Sequence, residues 1–544
     1  MNTMLTLLDP QRQRAFYAAG FWRGQTIYAL ASAHAARAPK AMAFRERHRR
    51  TAYRDLVDAA DNLAADLHRR GVRPGQRVAV WLPGRLEVAV ALLACSRNGY
   101  VCCPSLHRGH AAGEVMALAT RMRAAALIAQ DGYGANRAEF AASLDALKSL
   151  RCVYWLGALG DASPLADADG APDGPAPSTD PDSVVYLAFT SGTTGEPKGV
   201  MHSDNTLLAN ARALTTDWRI GAQSTIYTMS PLSHNLGIGS LICALAVGAE
   251  LVVHDLPKDA SLHARLVETE ASFLVGVPTH AIDLLAQMDA GGGAVLPHLT
   301  GFRISGAAVP RAVVTRLLDH GVKPQSGYGM TESCSNNYTL PDDDPALIVD
   351  TSGHAAPGYE IKIWRQDDPD TEAPIGETGE IGGRGASLML GYFDDQAATE
   401  DAFNAKGWFM TGDLGWIDKA GYLRVTGRKK ELILRGGHNI FPARIEDLAM
   451  RHEAVLRAAA VPVADARLGE KVCLAVTLKN GGQLSPERLL EHLAAAGLSK
   501  SDMPEYYLQL DDLPLTSSGK IMKRELVTWI EQGNVTPMPV RWQP

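Results

Sequence analysis

The chain has no excess of positive charge: 53 lysines and arginines face 60 aspartates and glutamates, a formal net charge of −7. That balance argues against a broad nucleic-acid footprint and supplies no polybasic patch for a membrane surface. Long hydrophobic runs are missing too. The longest weakly charged stretch, GIGSLICALAVGA from Gly237 to Ala249, is broken by glycine. It falls short of the roughly 20 apolar residues a membrane span needs, so it reads as buried core. The start, MNTMLTLLDPQRQR, has too short an apolar run for a signal segment and no basic stretch before it. A cytoplasmic protein with neither membrane nor nucleic acid among its partners is the expectation. Paired cysteines are lacking as well. Cys95, Cys102, Cys103, Cys152, Cys243, Cys334 and Cys473 are scattered, odd in number and without CxxC spacing, which disfavours a disulfide framework, structural zinc or a dithiol redox site. There is no internal repeat.

What remains is ordinary globular usage, 46% hydrophobic and 21% charged, over a length that suggests roughly two to four domains. YRDLVDAADNLAADLHRR (Tyr53 to Arg70) and VAVALLACSRNG carry helical spacing, while RVAVWL, AALIA, CVYWL, SVVYLAF, AELVVHD and SFLVGVP read as short buried strands. Alternation of this kind predicts an α/β fold in which mainly parallel sheets are covered by helices. The segment from Gly160 to Ser183, rich in Asp, Ala, Pro and Gly, is a linker by composition, and DAGGGA near Gly292 is a loop. From about Gly376 glycine-punctuated short strands predict a β-rich subdomain, and a small α+β unit is expected from roughly Glu431 to the end.

In LAFTSGTTGEPKGVMHS (Leu187 to Ser203) a strand opens into hydroxyls and glycines and closes on Lys198. Glycines let backbone N–H groups approach an anion, hydroxyls donate to phosphate oxygens, and lysine adds a point charge. Pro197 stands where a Walker loop requires glycine before the lysine, so that NTPase class is excluded. A mobile surface loop is the plain alternative for such a stretch taken alone.

It does not stand alone. TSGTTGEPKG is similar to the phosphate-binding signature of the adenylate-forming superfamily, which includes acyl-CoA synthetases, peptide-synthetase adenylation domains and luciferases. Further signatures of that family follow in its order: SGAAVP (Ser305 to Pro310), YGMTE (Tyr328 to Glu332), TGD (Thr411 to Asp413), GRKKELILRGGHNIFPARIE (Gly427 to Glu446) and PLTSSGK (Pro514 to Lys520). Together they span most of the chain. The resemblance implies ATP-dependent activation of a carboxylate as an acyl-adenylate, then capture of the acyl group by a thiol. It also implies a large domain, residues 1–429, that binds ATP and acid, and a small mobile domain, residues 430–544, that carries the catalytic lysine.

The roles below are what the resemblance implies, position by position. Thr190, Ser191, Gly192, Thr193, Thr194 and Lys198 cover the β- and γ-phosphates. Gly306, Ala307 and Ala308 line the adenine, Tyr328 stacks on it, and Gly329 and Met330 lie alongside. Thr331 meets the α-phosphate, and Glu332 holds Mg²⁺, a hard ion that wants oxygen ligands. Asp413, read as part of the turn after GWFMTG, takes the ribose hydroxyls, with Arg428 at the ribose or the phosphates. Lys520 bridges the acid carboxylate and the α-phosphate and is the expected catalytic residue, because displacement between two anions needs positioning and charge neutralisation. Lys430 is the hinge. Turning there brings Gly436, Gly437 and His438 in to line the coenzyme A passage. Arg444 departs from the glutamate of many members.

The acid pocket is expected at His234, Asn235, Gly239, Gly329 and Cys334. An isolated histidine is as often structural as functional. His-Asn followed by glycines is similar to aryl-acid ligases of the dihydroxybenzoate type and to alicyclic-acid CoA ligases, with Gly237, Gly239 and Cys334 leaving room for a compact ring or medium chain. The Asp and Lys expected of amino-acid activators are not found, FLVGVPT (Phe273 to Thr279) being apolar. The implied activity is an AMP-forming acid:CoA ligase using ATP, Mg²⁺ and coenzyme A. The alternative is a stand-alone adenylating enzyme that loads a carrier protein. The acid and the oligomeric state, a homodimer included, stay open.

Overall fold

The computed structural model describes residues 4–159, 161, 165, 174–190, 197–257, 260–291, 295–306, 309–516 and 519–542. The linker around residues 160–173 and the glycine loop at 292–294 therefore lie largely outside the described residues.

Two large sheets dominate. One has nine strands, running in space from His354–Ala355 through Cys334–Tyr338, Pro324–Met330, Gly301–Ile304, Phe273–Gly276, Thr225–Thr228, Glu250–Val253 and Met42–Arg45 to Arg50–Ala52. Its inner pairings are parallel and only its outermost strands are antiparallel. The other has six strands in the order Cys152–Leu156, Ala124–Gln130, Arg77–Trp81, Val101–Cys103, Val184–Thr190, Lys198–Ser203, parallel except for the last pair. The expected parallel architecture is present.

Period-two alternation explains how the sheets share a core. In Arg77–Trp81, Val78 and Val80 face one hydrophobic cluster while Ala79 and Trp81 face another. In Phe273–Gly276, Phe273 and Val275 join that same first cluster and Leu274 joins a third. Strands covered on both faces carry apolar residues at successive positions, as here. The shared cluster is filled by helices between the sheets, chiefly Tyr53–Arg69, Leu86–Asn98, Asp204–Asp217 and Asn235–Val247. Every residue of Leu86–Asn98 except Arg97 is buried, as suits a helix that is apolar all round. Each fully buried Leu, Val or Ile there contributes roughly 1.5–3 kcal/mol before its entropy cost.

An antiparallel four-stranded sheet follows, made of Tyr359–Trp364, Gly379–Gly385, Phe409–Ile417 and Leu423–Arg428. It is the β-rich part foreseen from the glycine spacing. One detail differs. Asp413 lies inside the strand Phe409–Ile417, not in a turn, because Gly412 takes φ +74 and absorbs the register shift of this strand against Gly379–Gly385. A local bulge re-aims the aspartate without ending the strand. The remaining sheet pairs His438–Ile440, Ile433–Arg435, Gly469–Leu478, Tyr506–Gln509 and Met538–Pro539, with Val455–Asp465 on Gly469–Leu478. Its two hydrophobic clusters draw their buried members from residues 433–526 alone.

Candidate active site

The phosphate loop starts as a hairpin. Thr190 and Lys198 face each other at the open end of antiparallel strands, and Ser191, Gly192, Thr193 and Thr194 lie outside the described residues, as do Ala307 and Ala308. The Lys198 ammonium sits 4.7 Å from the centre of the Tyr392 ring, whose hydroxyl donates to Glu332 Oε1 at 2.9 Å. One aromatic residue thus holds a cation on its face and a carboxylate at its tip. Glu332 is pushed above the ordinary carboxylate range by burial, against the pull of Tyr392, Arg428 and Lys198.

Beneath this, His202 donates from Nε2 to the carbonyl of Thr331 at 2.7 Å while Nδ1 meets the Thr206 hydroxyl at 3.1 Å. Burial lowers this histidine to about 4, so it is neutral and its tautomer is set by the carbonyl. Asn210 clamps the start of the strand Cys334–Tyr338, donating to the carbonyl of Ser335 and accepting from its N–H. Gly329 is required by space: a Cβ there would stand 2.1 Å from the Cys334 carbonyl oxygen.

Asp413 and Arg428 face each other across an antiparallel pair, with Arg428 Nε 3.1 Å from Asp413 Oδ1. The Tyr328 hydroxyl donates to Asp413 Oδ2 at 2.8 Å. Tyr328 is packed with Ile363, Ile381 and Leu423 and is only 9% exposed, so its most direct contact is with the aspartate and little of its ring is open to a base. Asp413 is raised by burial, with Arg428 opposing.

Lys520 arrives from the C-terminal sheet on a tight turn. Its N–H donates to the Thr516 hydroxyl at 3.0 Å, and the Thr516 N–H donates back to the Lys520 carbonyl at 2.8 Å. Gly519, at φ +81, packs where a side chain would meet the Thr279 hydroxyl at 2.7 Å, and that hydroxyl donates to the Gly519 carbonyl at 3.0 Å. The ammonium then lies over Gly306, where a Cβ would come within 2.9 Å of Lys520 Cε. Lys520 is lowered to about 8 by burial and by Arg428, with Asp413 opposing. His234 is lowered to about 3 by burial, Lys520 and His107. Lys520, Gly306, Asp413, Arg428 and His234 therefore share one neighbourhood, though the first and last of them stand nearly three hundred positions apart.

His234 also caps the helix Asn235–Val247, its Nδ1 accepting from the Leu236 N–H at 3.3 Å. Asn235 lies against the Cys334 thiol. The glycines divide: Gly239 has open space at its missing side chain, whereas a Cβ at Gly237 would stand 2.2 Å from the Pro231 carbonyl oxygen. Gly237 therefore serves backbone packing, which corrects its reading as pocket space. Gly436 and Gly437 form the exposed turn between Ile433–Arg435 and His438–Ile440, and His438, the first residue of the second strand, pairs with Asp502 at 2.7 Å. They are not brought to Lys520. Lys430 lies in the short 3-10 turn Lys429–Glu431, between the strand Leu423–Arg428 and the C-terminal sheet.

The donor set suits a polyphosphate: Lys198, Arg428 and Lys520 converge on a region with Glu332 and Asp413 as its buried carboxylates. Among the described residues there is no group of three His, Cys, Asp or Glu side chains able to hold a metal by itself. A single carboxylate such as Glu332 fits magnesium, which keeps water and phosphate oxygens in its shell. His107, His202, Thr279 and Tyr392 escaped sequence reasoning, since each acts through a partner distant in the chain. His202 and Thr279 fall within the stretches LAFTSGTTGEPKGVMHS and FLVGVPT, but nothing local there marks either as a support for a distant residue.

Comparison with known proteins matches residues 31–393 to the model of the AMP-binding enzyme family and residues 444–520 to that of the AMP-binding enzyme C-terminal domain. The medium-chain fatty-acid–CoA ligase of Escherichia coli (strain K12) is 31% identical, with 96% of this chain and 94% of that one covered. The salicyl-AMP ligase / salicyl-S-ArCP synthetase of Mycobacterium tuberculosis (strain ATCC 25618 / H37Rv) is also 31% identical, over 95% of this chain and 93% of its own. ATP-bound MatB from Rhodopseudomonas palustris superposes with a TM-score of 0.82 at 27% identity, covering 93% of this chain and 99% of that chain.

Proposed function

Since the chain belongs to the AMP-binding enzyme family, we propose that it is an AMP-forming carboxylic acid:CoA ligase acting on an aryl, alicyclic or medium-chain acid. The observation that carries this reading is the insertion of Lys520 over Gly306, beside Asp413, Arg428 and His234. In this reading the chain divides at Lys430, and the small domain sits in the orientation that performs adenylation. Lys520 offsets repulsion as the acid carboxylate approaches the α-phosphorus, Asp413 orients the ribose with Tyr328 behind it, and Arg428 adds charge beside them. Lys198 and the hydroxyl loop hold the leaving pyrophosphate. Glu332, steadied by Tyr392, is the residue that would hold Mg²⁺, whose chemistry there is to neutralise phosphate charge. Asn235, Gly239 and Cys334 face the acid.

Steady-state AMP release with free coenzyme A tests this over a panel of benzoates, cyclohexane carboxylates and medium-chain fatty acids. Turnover with free coenzyme A is the expected result. The name of the mycobacterial relative favours a second reading, in which the thiol belongs to a carrier protein. That reading wins if every acid is inert with coenzyme A and turns over with a phosphopantetheinylated carrier.

A pH profile follows from Lys520. It must be charged to act, and in the free enzyme it is lowered from the ordinary 10.5 to about 8. The charged form is the one present below about 8, so kcat/KM for pyrophosphate exchange should fall as pH rises through that value. A profile that stays flat to the ordinary lysine range would contradict this placement of Lys520. No described helix is long and apolar enough to cross a membrane.

A further inference from the structure

One charged side chain in the interior has no task in the site above. Arg303, three residues before Gly306, is 2% exposed. Its neighbours in register, Val275 and Gln325, belong to the flanking parallel strands. The guanidinium is directed to the side occupied by Cys243, Cys334 and Tyr338, lying 5.9 Å over the Tyr338 ring. Gly327 packs on it, a Cβ there falling 3.1 Å from Nη2. Nη1 donates to Gln325 Oε1 at 2.5 Å. Nε and Nη2, both buried, have no partner, nor has Nε2 of Gln325.

Two features make this more than a structural arginine. A buried cation without a carboxylate is costly unless an anion reaches it, and the acidic groups acting on Arg303 are a phenol and two thiols. Burial lowers Arg303 only to about 10, so it keeps its charge at neutral pH. Second, the unpaired atoms are one edge of the fork, the edge that grips carboxylates side-on. Arg50 of this protein uses the same edge on Glu250, with Nε and Nη2 each 2.7 Å from a carboxylate oxygen. Cys334 adjoins both Arg303 and Asn235, and so links the fork to the acid pocket of the proposed function.

We propose that Arg303, steadied by Gln325, is a specificity residue of this pocket, and that the acid activated here bears a second carboxylate, gripped by the free Nε–Nη2 edge. The proposal rests on the acid-activating reading above. It deepens that reading by naming the substrate class: dicarboxylic acids, the second carboxyl being carried on the ring or at the far end of the chain.

The test is ATP–pyrophosphate exchange with the full chain on matched pairs: hexanoate with adipate, octanoate with suberate, and benzoate with its three carboxybenzoates. For at least one pair the diacid should exceed its monoacid by about a hundredfold in kcat/KM. Arg303→Met, close in volume, should erase or invert that ratio. Arg303→Lys should restore only part of it, having charge without the fork. Monoacids preferred in every pair by the wild-type protein would overturn the proposal, a result that needs no variant to fold. So would an Arg303→Met protein that keeps the diacid preference. Exchange with monoacids alone leaves acid activation standing and removes only this proposal. Exchange with no acid at all removes both.

Discussion

Replacing Lys520 by alanine should depress acyl-adenylate formation by about a thousandfold or more, the upper end of what loss of one preorganised electrostatic group costs. The thioester-forming step from a synthetic acyl-adenylate should survive. The asymmetry follows from position. Lys520 stands over Gly306 beside Arg428 and Asp413, where, in the proposed reaction, an incoming carboxylate and an α-phosphate would otherwise repel each other. A thiol attacking an already formed adenylate meets no such pair of anions. Pyrophosphate exchange reports the first step, and single-turnover mixing of the variant with acyl-adenylate and thiol reports the second. Equal loss of both steps would mean that Lys520 supports the fold or the thiol site as well. The turn that presents it is tied down by Thr279 and Thr516 and not by its own side chain, so alanine should leave that turn in place.

Proline at position 430 should do the reverse, sparing adenylation within a few-fold and cutting thioester formation by about a hundredfold, if swinging about this residue is required for the second step. Lys430 is the middle residue of the 3-10 turn Lys429–Glu431. Proline's fixed φ near −65° suits a 3-10 turn. Locking that angle preserves the orientation seen here and denies the rotation. The Gly436–Gly437 turn is exposed, and its neighbour His438 is engaged with Asp502. The C-terminal sheet is held to the preceding part of the chain by Arg457 on Asp283 at 3.1 Å and by the Arg311 N–H on Asp447 at 3.0 Å. Rapid-quench measurement of both half-reactions decides it. A variant that makes thioester at the wild-type rate would place the pivot elsewhere.

Much of the fold could be read along the chain because its strands are buried on both faces. Runs such as SVVYLAF and AELVVHD then need no partner to be recognised. The apolar stretch from Gly237 to Ala249, too short for a membrane, is indeed a core helix, Asn235–Val247. Sequence reading puts Asp413 in a turn because a glycine at positive φ produces a bulge as readily as a reversal, and sequence does not separate the two. Gly237 was misassigned for a related reason. A glycine required by a neighbouring carbonyl looks the same in sequence as one that leaves room for a ligand.

The sequence by itself determined the superfamily and the residue types at its motif positions, because those motifs are short, local and ordered along the chain. It also determined the parallel, doubly covered sheets, because hydrophobic alternation is local as well. Only the tertiary structure decided who supports whom: Tyr392 between Lys198 and Glu332, His202 under Thr331, Thr279 on Gly519, and Lys520 over Gly306. It alone exposed the unpaired edge of Arg303. Those contacts join residues tens to hundreds of positions apart, and an arginine's need for a partner becomes visible only when the surroundings that deny it water are in place.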